Sequence, residues 1–508
     1  MRTNAALAVL TGLGLRLFFV LKFPATDSGD SPFYIELAWN WLKNGIYGFS
    51  VNGRLTPVDM RVPGYPAFLA TIFAFAGESP RAAMVAQAVV DVAGCFVIAL
   101  ITARLAPESS RRRVTLAALW LAALCPFTAN YSVAVLTEVL VTFLTGLAIL
   151  VLLQTDLGAG SVEDRAPFFL NHWFFGGIIV GFGTLVRPET PLLLVAAALV
   201  LAAKWWRPRD WMKLVRAGVL MGAGLLLPLL PWAARNWSTL HDLQFLAPRH
   251  SELPGEYIPL GVISWTNTWL WRVRDVYLVA WKLDAEEIPV ENIPARAFDS
   301  PEEKERVADL LEQYNESLTM GPELDAQFRQ VAHERTRQHP LRTYFTIPLL
   351  RSLTLWFSPR IELLPYSGHL LPLGDEWRDD RKDFVVTLTL VFVNAIYLML
   401  ALAGAWLARP RPGWALLIAF ILVHTAFVAY FVDTPEPRYV LECFPAVIAL
   451  AAQTWSRNST QDESERQGAR LSPRSLIPAE IRSCSGPQTG MPVPLRNRRS
   501  RQPFSRAG

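Results

Sequence analysis

Apolar runs at about 5–22, 82–105, 114–129, 132–153, 172–187, 190–203, 215–233, 384–407, 414–432 and 435–455 constrain this chain more than any other feature. They approach the roughly 20 residues that a helix needs to cross about 30 Å of hydrocarbon. The expected fold is an all-α membrane protein, a polytopic helix bundle of about ten spans. Composition agrees: of 508 residues, 52% are apolar and 18% charged, against about 25% charged in a soluble domain. The first run holds Arg16, lacks a small-residue cleavage site and is followed by further spans, so it reads as an anchor and not as a signal peptide.

Basic residues set the orientation. Arg111, Arg112 and Arg113, then Lys204, Arg207, Arg209 and Lys213, then Arg409 and Arg411 fall in short loops an even number of spans from the N-terminus. The positive-inside rule makes these loops and both termini cytoplasmic. Residues 1–233 then form an N-terminal membrane bundle whose first extracytoplasmic loop, 23–81, is expected to carry amphipathic helices. Residues 234–383 form an extracytoplasmic lid, 384–455 the C-terminal spans, and 456–508 a cytoplasmic tail. Within the lid, Ser300-Pro301-Glu302-Glu303 predicts a helix start, ahead of Val307, Leu310, Leu311 and Tyr314 at helical spacing. A second amphipathic stretch carries Leu324, Phe328 and Val331. The tail is rich in Arg, Ser, Pro and Gln without apolar periodicity, which predicts disorder.

Several functions are disfavoured. A net charge of +4 with basic residues in short interhelical clusters is a topology signal, so no nucleic-acid partner is expected. No GxxxxGK[ST] loop cradles a nucleotide. The histidines show no HExxH-type spacing, and Cys95, Cys125, Cys443 and Cys484 show no metal-type spacing. No metal and no other cofactor is expected.

The residues with chemical potential gather toward one face. Asp27-Ser28-Gly29-Asp30 lies just beyond the first span, and its carboxylates suit either a general base facing a cavity or the cap of a helix starting near Pro32. Arg61-Val62-Pro63-Gly64-Tyr65-Pro66 puts a cation on a stiff turn, able to grip a phosphate bidentately or to snorkel to lipid headgroups. Ionised groups in apolar runs cost about 2.5–3.5 kcal/mol each on insertion scales. Arg16, Glu138, Arg187, Glu189, Arg235 and Arg438 are such groups. All but Arg16 map near the extracytoplasmic ends, where they either pair internally or build a site.

Taken in order, Arg16, then Gly29-Asp30 with Tyr34 and Ala38, Arg61 to Pro66, Leu136-Thr137-Glu138, Arg187-Pro188-Glu189, Pro231-Trp232 with Arg235-Asn236, and Arg438-Tyr439 form a pattern. It resembles the GT-C superfamily of membrane glycosyltransferases, and most closely the branch of protein O-mannosyltransferases and the lipid A aminoarabinose transferase. The resemblance implies an all-α bundle whose first extracytoplasmic loop supplies a catalytic acidic residue acting as base, which carries over to Asp30. It places Arg61 near the donor phosphate and Glu138 at the cavity, with Tyr34, Arg187, Arg235 and Arg438 in the binding set. Where many relatives have a second acidic residue directly after the catalytic one, this chain has Ser31. The implied partners are a polyprenyl-phosphate-linked sugar donor, a lipid, glycan or protein acceptor, and membrane lipid.

The competing readings are a flippase or transporter of a lipid-linked glycan, which should show repeats and broken helices at the midplane, and a glycan polymerase or ligase. The location expected is a bacterial inner membrane. The sequons at Asn236 and Asn315 do not distinguish it from an endoplasmic reticulum membrane.

Overall fold

The computed structural model describes residues 2–26, 28–158, 171–205, 211–250, 257–368, 370, 373–409 and 411–456. Asp27 and the tail beyond Ser456 lie outside the described residues, as do Arg207, Arg209 and Cys484. The chain is mostly helical. In order, α1 is Arg2–Lys22, α2 Ser31–Asn44, β1 Gly48–Val51, β2 Arg54–Pro57, α3 Gly64–Ala76, α4 Pro80–Leu105, α5 Arg111–Ala123, α6 Pro126–Asn130 and α7 Glu138–Leu152. Then come α8 His172–Thr184, α9 Leu192–Trp205, α10 Trp211–Leu240, α11 Leu260–Thr266, α12 Val273–Val276, α13 Pro301–Ser317 and α14 Pro322–Gln338. Last are α15 Ile347–Phe357, α16 Leu373–Asp379, α17 Arg381–Leu407, α18 Trp414–Phe431 and α19 Phe444–Ala451.

Among the described residues, six helical stretches are long and apolar enough to cross a membrane: Thr3–Lys22, Pro80–Leu105, Arg111–Val133, Trp211–Leu240, Arg381–Leu407 and Trp414–Phe431. Ten full-length spans are not confirmed, and the reason is local. The runs expected at 132–153, 172–187, 190–203 and 435–455 fold as α7, α8, α9 and α19, of 15, 13, 14 and 8 residues. Irregular backbone beside Glu138 and Arg187 cuts short the first three, and tighter 3-10 helix, Pro437–Cys443 with Arg438 and Ala452–Ser456, flanks α19. Pro188 and Pro445 cannot donate to a helix ladder, and residues 134–137 leave the helix where Ala134 bridges Ala25, whose N–H donates to the Val133 carbonyl at 3.0 Å. Irregular backbone at membrane depth survives only inside protein or around a cavity. The breaks surround the pocket described below.

Small residues close the bundle. At the α8–α10 crossing a Cβ on Gly177 would sit 2.3 Å from the Met221 carbonyl oxygen, and one on Gly224 would sit 2.2 Å from that of Phe174, the close approach that glycine permits in membrane bundles. Helix ends sort to two faces. Lys204 donates to the Asp156 carbonyl at 2.5 Å and Arg411 to Gln453 at 2.8 Å, while Gly413 packs on Leu105 and Leu153. The C-terminal ends of α4, α7 and α9 thus share one face, and their N-terminal ends point toward the loops.

Residues 23–81 carry helices, α2 and α3, and between them a β-hairpin that the sequence reading does not include. Strands β1 and β2 pair antiparallel, with Val51 opposite Arg54. Asn52 and Gly53 both take positive φ, 51° and 74°, as a tight two-residue hairpin turn requires.

The lid core forms as its periodicity predicts. Val307, Leu310, Leu311, Tyr314, Phe328 and Val331 are buried together with Trp265 and Trp269. Ser300 Oγ accepts the Glu303 N–H at 3.2 Å. Buried Asp325 accepts the N–H groups of Gly261 and Val262 at 2.7 and 2.9 Å, capping α11. The segment 234–383 is not all lid, however. Helix α10 continues to Leu240, and α15 lies along α18, with Trp356 Nε1 donating to Thr425 at 3.0 Å. Beyond it Arg360, 1% exposed, donates to Asn394 of α17 at 2.8 Å.

Candidate active site

Asp30 stands at the N-cap position of α2, yet its side chain makes no capping hydrogen bond. It accepts instead from Arg61 Nη2 at 2.9 Å. That contact separates the two sequence readings of Asp30: the carboxylate faces a cation and not the helix end. Burial alone would raise the Asp30 carboxyl, but Arg61, with Arg438 and Arg187 behind it, holds it below its ordinary value of 3.8.

The hairpin fixes Arg61. Tyr47 Oη donates to the Arg61 carbonyl at 2.8 Å, and Asn40 of α2 donates to Gly48 at 2.9 Å, so α2, hairpin and turn move as one piece. Beyond the turn, the Gly64 N–H donates to the Leu185 carbonyl at 2.6 Å. A Cβ at Gly64 would lie 2.5 Å from that oxygen, so only glycine lets the turn meet the end of α8. Through this contact Arg61 and Arg187 share a pocket.

That pocket, about 270 Å³, is lined by Asp30, Tyr34, Arg61, Glu138, Arg187 and Arg438, six of the seven residues singled out in the sequence, and also by Glu189, Arg249 and Tyr439. Arg187 bridges Glu138 at 3.5 Å and Glu189 at 3.7 Å. Its guanidinium also sits 5.0 Å from the Tyr439 ring centre, and that of Arg438 sits 5.3 Å from the same ring. Arg438 pairs with Glu436 at 2.6 Å. Glu138 is 4% exposed, and its Oε2 has no hydrogen-bond partner among the described residues. An unpaired buried carboxylate oxygen is costly, so it is open to a donor from a substrate. Tyr34 packs edge-on against Tyr65 at 5.0 Å, which fixes its ring in the wall.

Arg235 is placed elsewhere. It lines an adjacent cavity of about 680 Å³ whose walls include Trp41, Leu144, Phe182, Leu185, Pro228 and Trp232. There it donates to the Val58 and Tyr47 carbonyls at 2.9 and 2.8 Å, locking α10 to the hairpin. Val186 lines both cavities, and the turn from Val62 to Gly64 runs along their shared border. The result is an arginine-rich polar pocket opening beside a long apolar one.

Arg249 reaches the pocket from the lid, donating to the Phe431 carbonyl at 2.9 Å. It sits in a polar loop that sequence patterning does not distinguish from other polar loops. Arg16 takes no part. Fully buried, it bridges Asp91 at 2.6 Å inside the bundle. Comparison with protein-family models, with curated proteins and with solved structures found no match.

Proposed function

We propose that this protein is an inverting glycosyltransferase of GT-C type, moving a sugar from a polyprenyl-phosphate donor to an acceptor at the extracytoplasmic face of a bacterial inner membrane. The observation that carries the reading is the placement of the two cavities side by side, with Val186 lining both. A polyprenyl-phosphate sugar is a long apolar chain ending in one anionic group and a polar ring. The larger cavity suits the chain, and the smaller one suits the phosphate and sugar.

In the proposed reaction the Asp30 carboxylate takes the proton of an acceptor hydroxyl or amine. The acceptor atom bonds to the anomeric carbon from the face opposite the phosphate. The carbon–oxygen bond to phosphate breaks, and the phosphate leaves with the electron pair. Arg61, Arg187 and Arg438 stabilise the charge it gathers in a site poor in water. A flippase would move the intact lipid and leave that bond whole, so release of polyprenyl phosphate by purified protein separates the two readings.

Arg61 supplies the first test. Lysine keeps the charge but loses the planar fork. Arg61→Lys should therefore retain more transfer than Arg61→Ala, measured with a defined polyprenyl-phosphate sugar in detergent. Wild-type turnover in Arg61→Ala would remove Arg61 from the donor site.

The proposed orientation has its own test. Glu305 is exposed on α13 and outside the Ser300 cap, so Glu305→Cys leaves the helix start intact. An impermeant maleimide should label it on intact spheroplasts. Labelling that appears only after permeabilisation would place the lid in the cytoplasm.

A further inference from the structure

Four large aromatic side chains of residues 257–338 are consumed by the core, while others, Tyr257 among them, stay exposed. Trp265, Trp269, Tyr314 and Phe328 are each at most 1% exposed. Two that follow α12 are not: Tyr277 is 50% exposed and Trp281 44%. Their geometry also differs from that of the core rings. Trp265 meets Trp269 at 60° and Phe328 at 47°, whereas Tyr277 and Trp281 lie at 17° with centres 5.9 Å apart. The two rings stack nearly parallel to each other and leave about half of each side chain exposed, while the neighbouring Val276 and Val279 are buried in the core.

The pair also stands beside the reacting groups. Gly29, next to Asp30, has φ +54°, and a Cβ there would lie 3.9 Å both from Trp281 Cη2 and from Arg438 Nη1. Glycine thus keeps a gap open between the aromatic surface and the arginine. Arg438, on the other side of that gap, pairs with Glu436 at 2.6 Å, so a carboxylate and a guanidinium stand beside the rings. An apolar plane edged by a carboxylate and a guanidinium has the chemistry of a sugar-binding site: the C–H face of a pyranose covers the rings, and its hydroxyls meet charged acceptors and donors at the edge.

We propose that Tyr277 and Trp281 form the platform on which a pyranose ring of the acceptor stacks, so that the acceptor is a glycan-bearing molecule. The inference rests on the transferase reading above, which leaves the acceptor as lipid, glycan or protein. The platform holds the acceptor sugar on the lid side of Asp30, while the donor occupies the two neighbouring cavities. Exposed Trp and Tyr also serve as membrane-interface anchors, and that use predicts contact with lipid headgroups and not with sugars.

Binding can be read without any donor, so the fate of the platform does not depend on whether transfer is observed. Full-length protein in nanodiscs would be mixed with a panel of methyl hexopyranosides, with ribitol as an acyclic polyol control, and saturation transfer to ligand C–H protons recorded by NMR. Pyranosides should show transfer to the protons of one ring face, and ribitol much less. Trp281→Ala and Tyr277→Ala should each weaken the signal about three- to tenfold, in keeping with the worth of an aromatic stacking contact. Trp281→Phe and Tyr277→Phe should retain most of it. Since both side chains are half exposed, unchanged thermal unfolding of the alanine variants would assign the loss to the surface. Wild-type signal in both alanine variants would overturn the platform. So would equal transfer to ribitol, or loss of the pyranoside signal when anionic lipid replaces zwitterionic lipid in the disc.

Discussion

Asp30→Asn should lower turnover by at least about 10²-fold while membrane insertion and donor binding persist, because general-base assistance contributes roughly 10²–10⁴-fold. Asparagine keeps the size and a hydrogen-bond acceptor but cannot take a proton. The 2.9 Å contact with Arg61 sharpens the expectation. Asn can still accept from the guanidinium, so a role limited to positioning Arg61 would survive the change in large part. Near-normal turnover would therefore make Asp30 a positioning partner of Arg61. The pH profile gives an independent readout. Because Arg61 and its neighbouring arginines hold the Asp30 carboxyl below 3.8, the ionised form is fully present above the ordinary carboxylate range and is lost only as pH falls through the lowered value. The acid limb of turnover should lie below pH 4 and disappear in Asp30→Asn. Arg61→Ala removes the largest lowering influence, so burial should then move that limb upward. An acid limb that stays fixed in Arg61→Ala would place the titrating group elsewhere.

Much of the site was legible because the cost of charge in hydrocarbon is large and local. Glu138, Arg187 and Arg438 stand out in apolar runs, and each proves to sit where its helix breaks around the pocket. The number of full-length spans stayed hidden: an apolar run reports burial, but periodicity cannot show that its α-helix is only 8 to 15 residues long, as in α7, α8, α9 and α19. The capping box at Ser300 and the stripe from Val307 to Tyr314 were readable because capping and helical spacing are local rules. The hairpin carried a local signal as well, since Asn52-Gly53 between Gly48–Val51 and Arg54–Pro57 is a strong hairpin turn, but the amphipathic pattern of Ser31–Asn44 dominated the reading of the loop. Arg235 illustrates the opposite limit. A cation at a helix end can serve a phosphate or a backbone carbonyl, and only the fold puts the Tyr47 and Val58 carbonyls in front of it. The long segment before α17 misled for a related reason. Arg351 and Arg360 look like surface charges in sequence, yet both are at most 3% exposed, because carbonyls and Asn side chains of other segments receive their protons.

Arg16 and Asp91 give the largest stability effect expected. Arg16 has no exposed surface. It reaches Asp91 of α4 at 2.6 Å and donates to the Gly12 and Ala123 carbonyls at 2.9 and 2.8 Å, so one side chain ties α1, α4 and the end of α5. Breaking a buried pair from one side typically costs about 3–5 kcal/mol, because the remaining charge has no partner, whereas replacing both members by apolar residues of similar volume is often neutral. Arg16→Met alone and Asp91→Leu alone should each lower stability by about that much in SDS-titration unfolding of mixed micelles. The double variant should recover most of the loss, giving a coupling energy of several kcal/mol that two independent sites would not show. Placing Arg16 within the glycosyltransferase-like pattern allows a different outcome, in which it serves the reaction. The structure sets the pair inside the bundle, with Glu138 between it and the pocket: Asp91 and Glu138 line a common void of about 10 Å³, room for one water. The double variant should therefore transfer sugar at nearly the wild-type rate per folded molecule. A double variant that is stable but inactive would show that Glu138 depends on the ionic pair behind it, and would make Arg16 and Asp91 part of the reacting machinery.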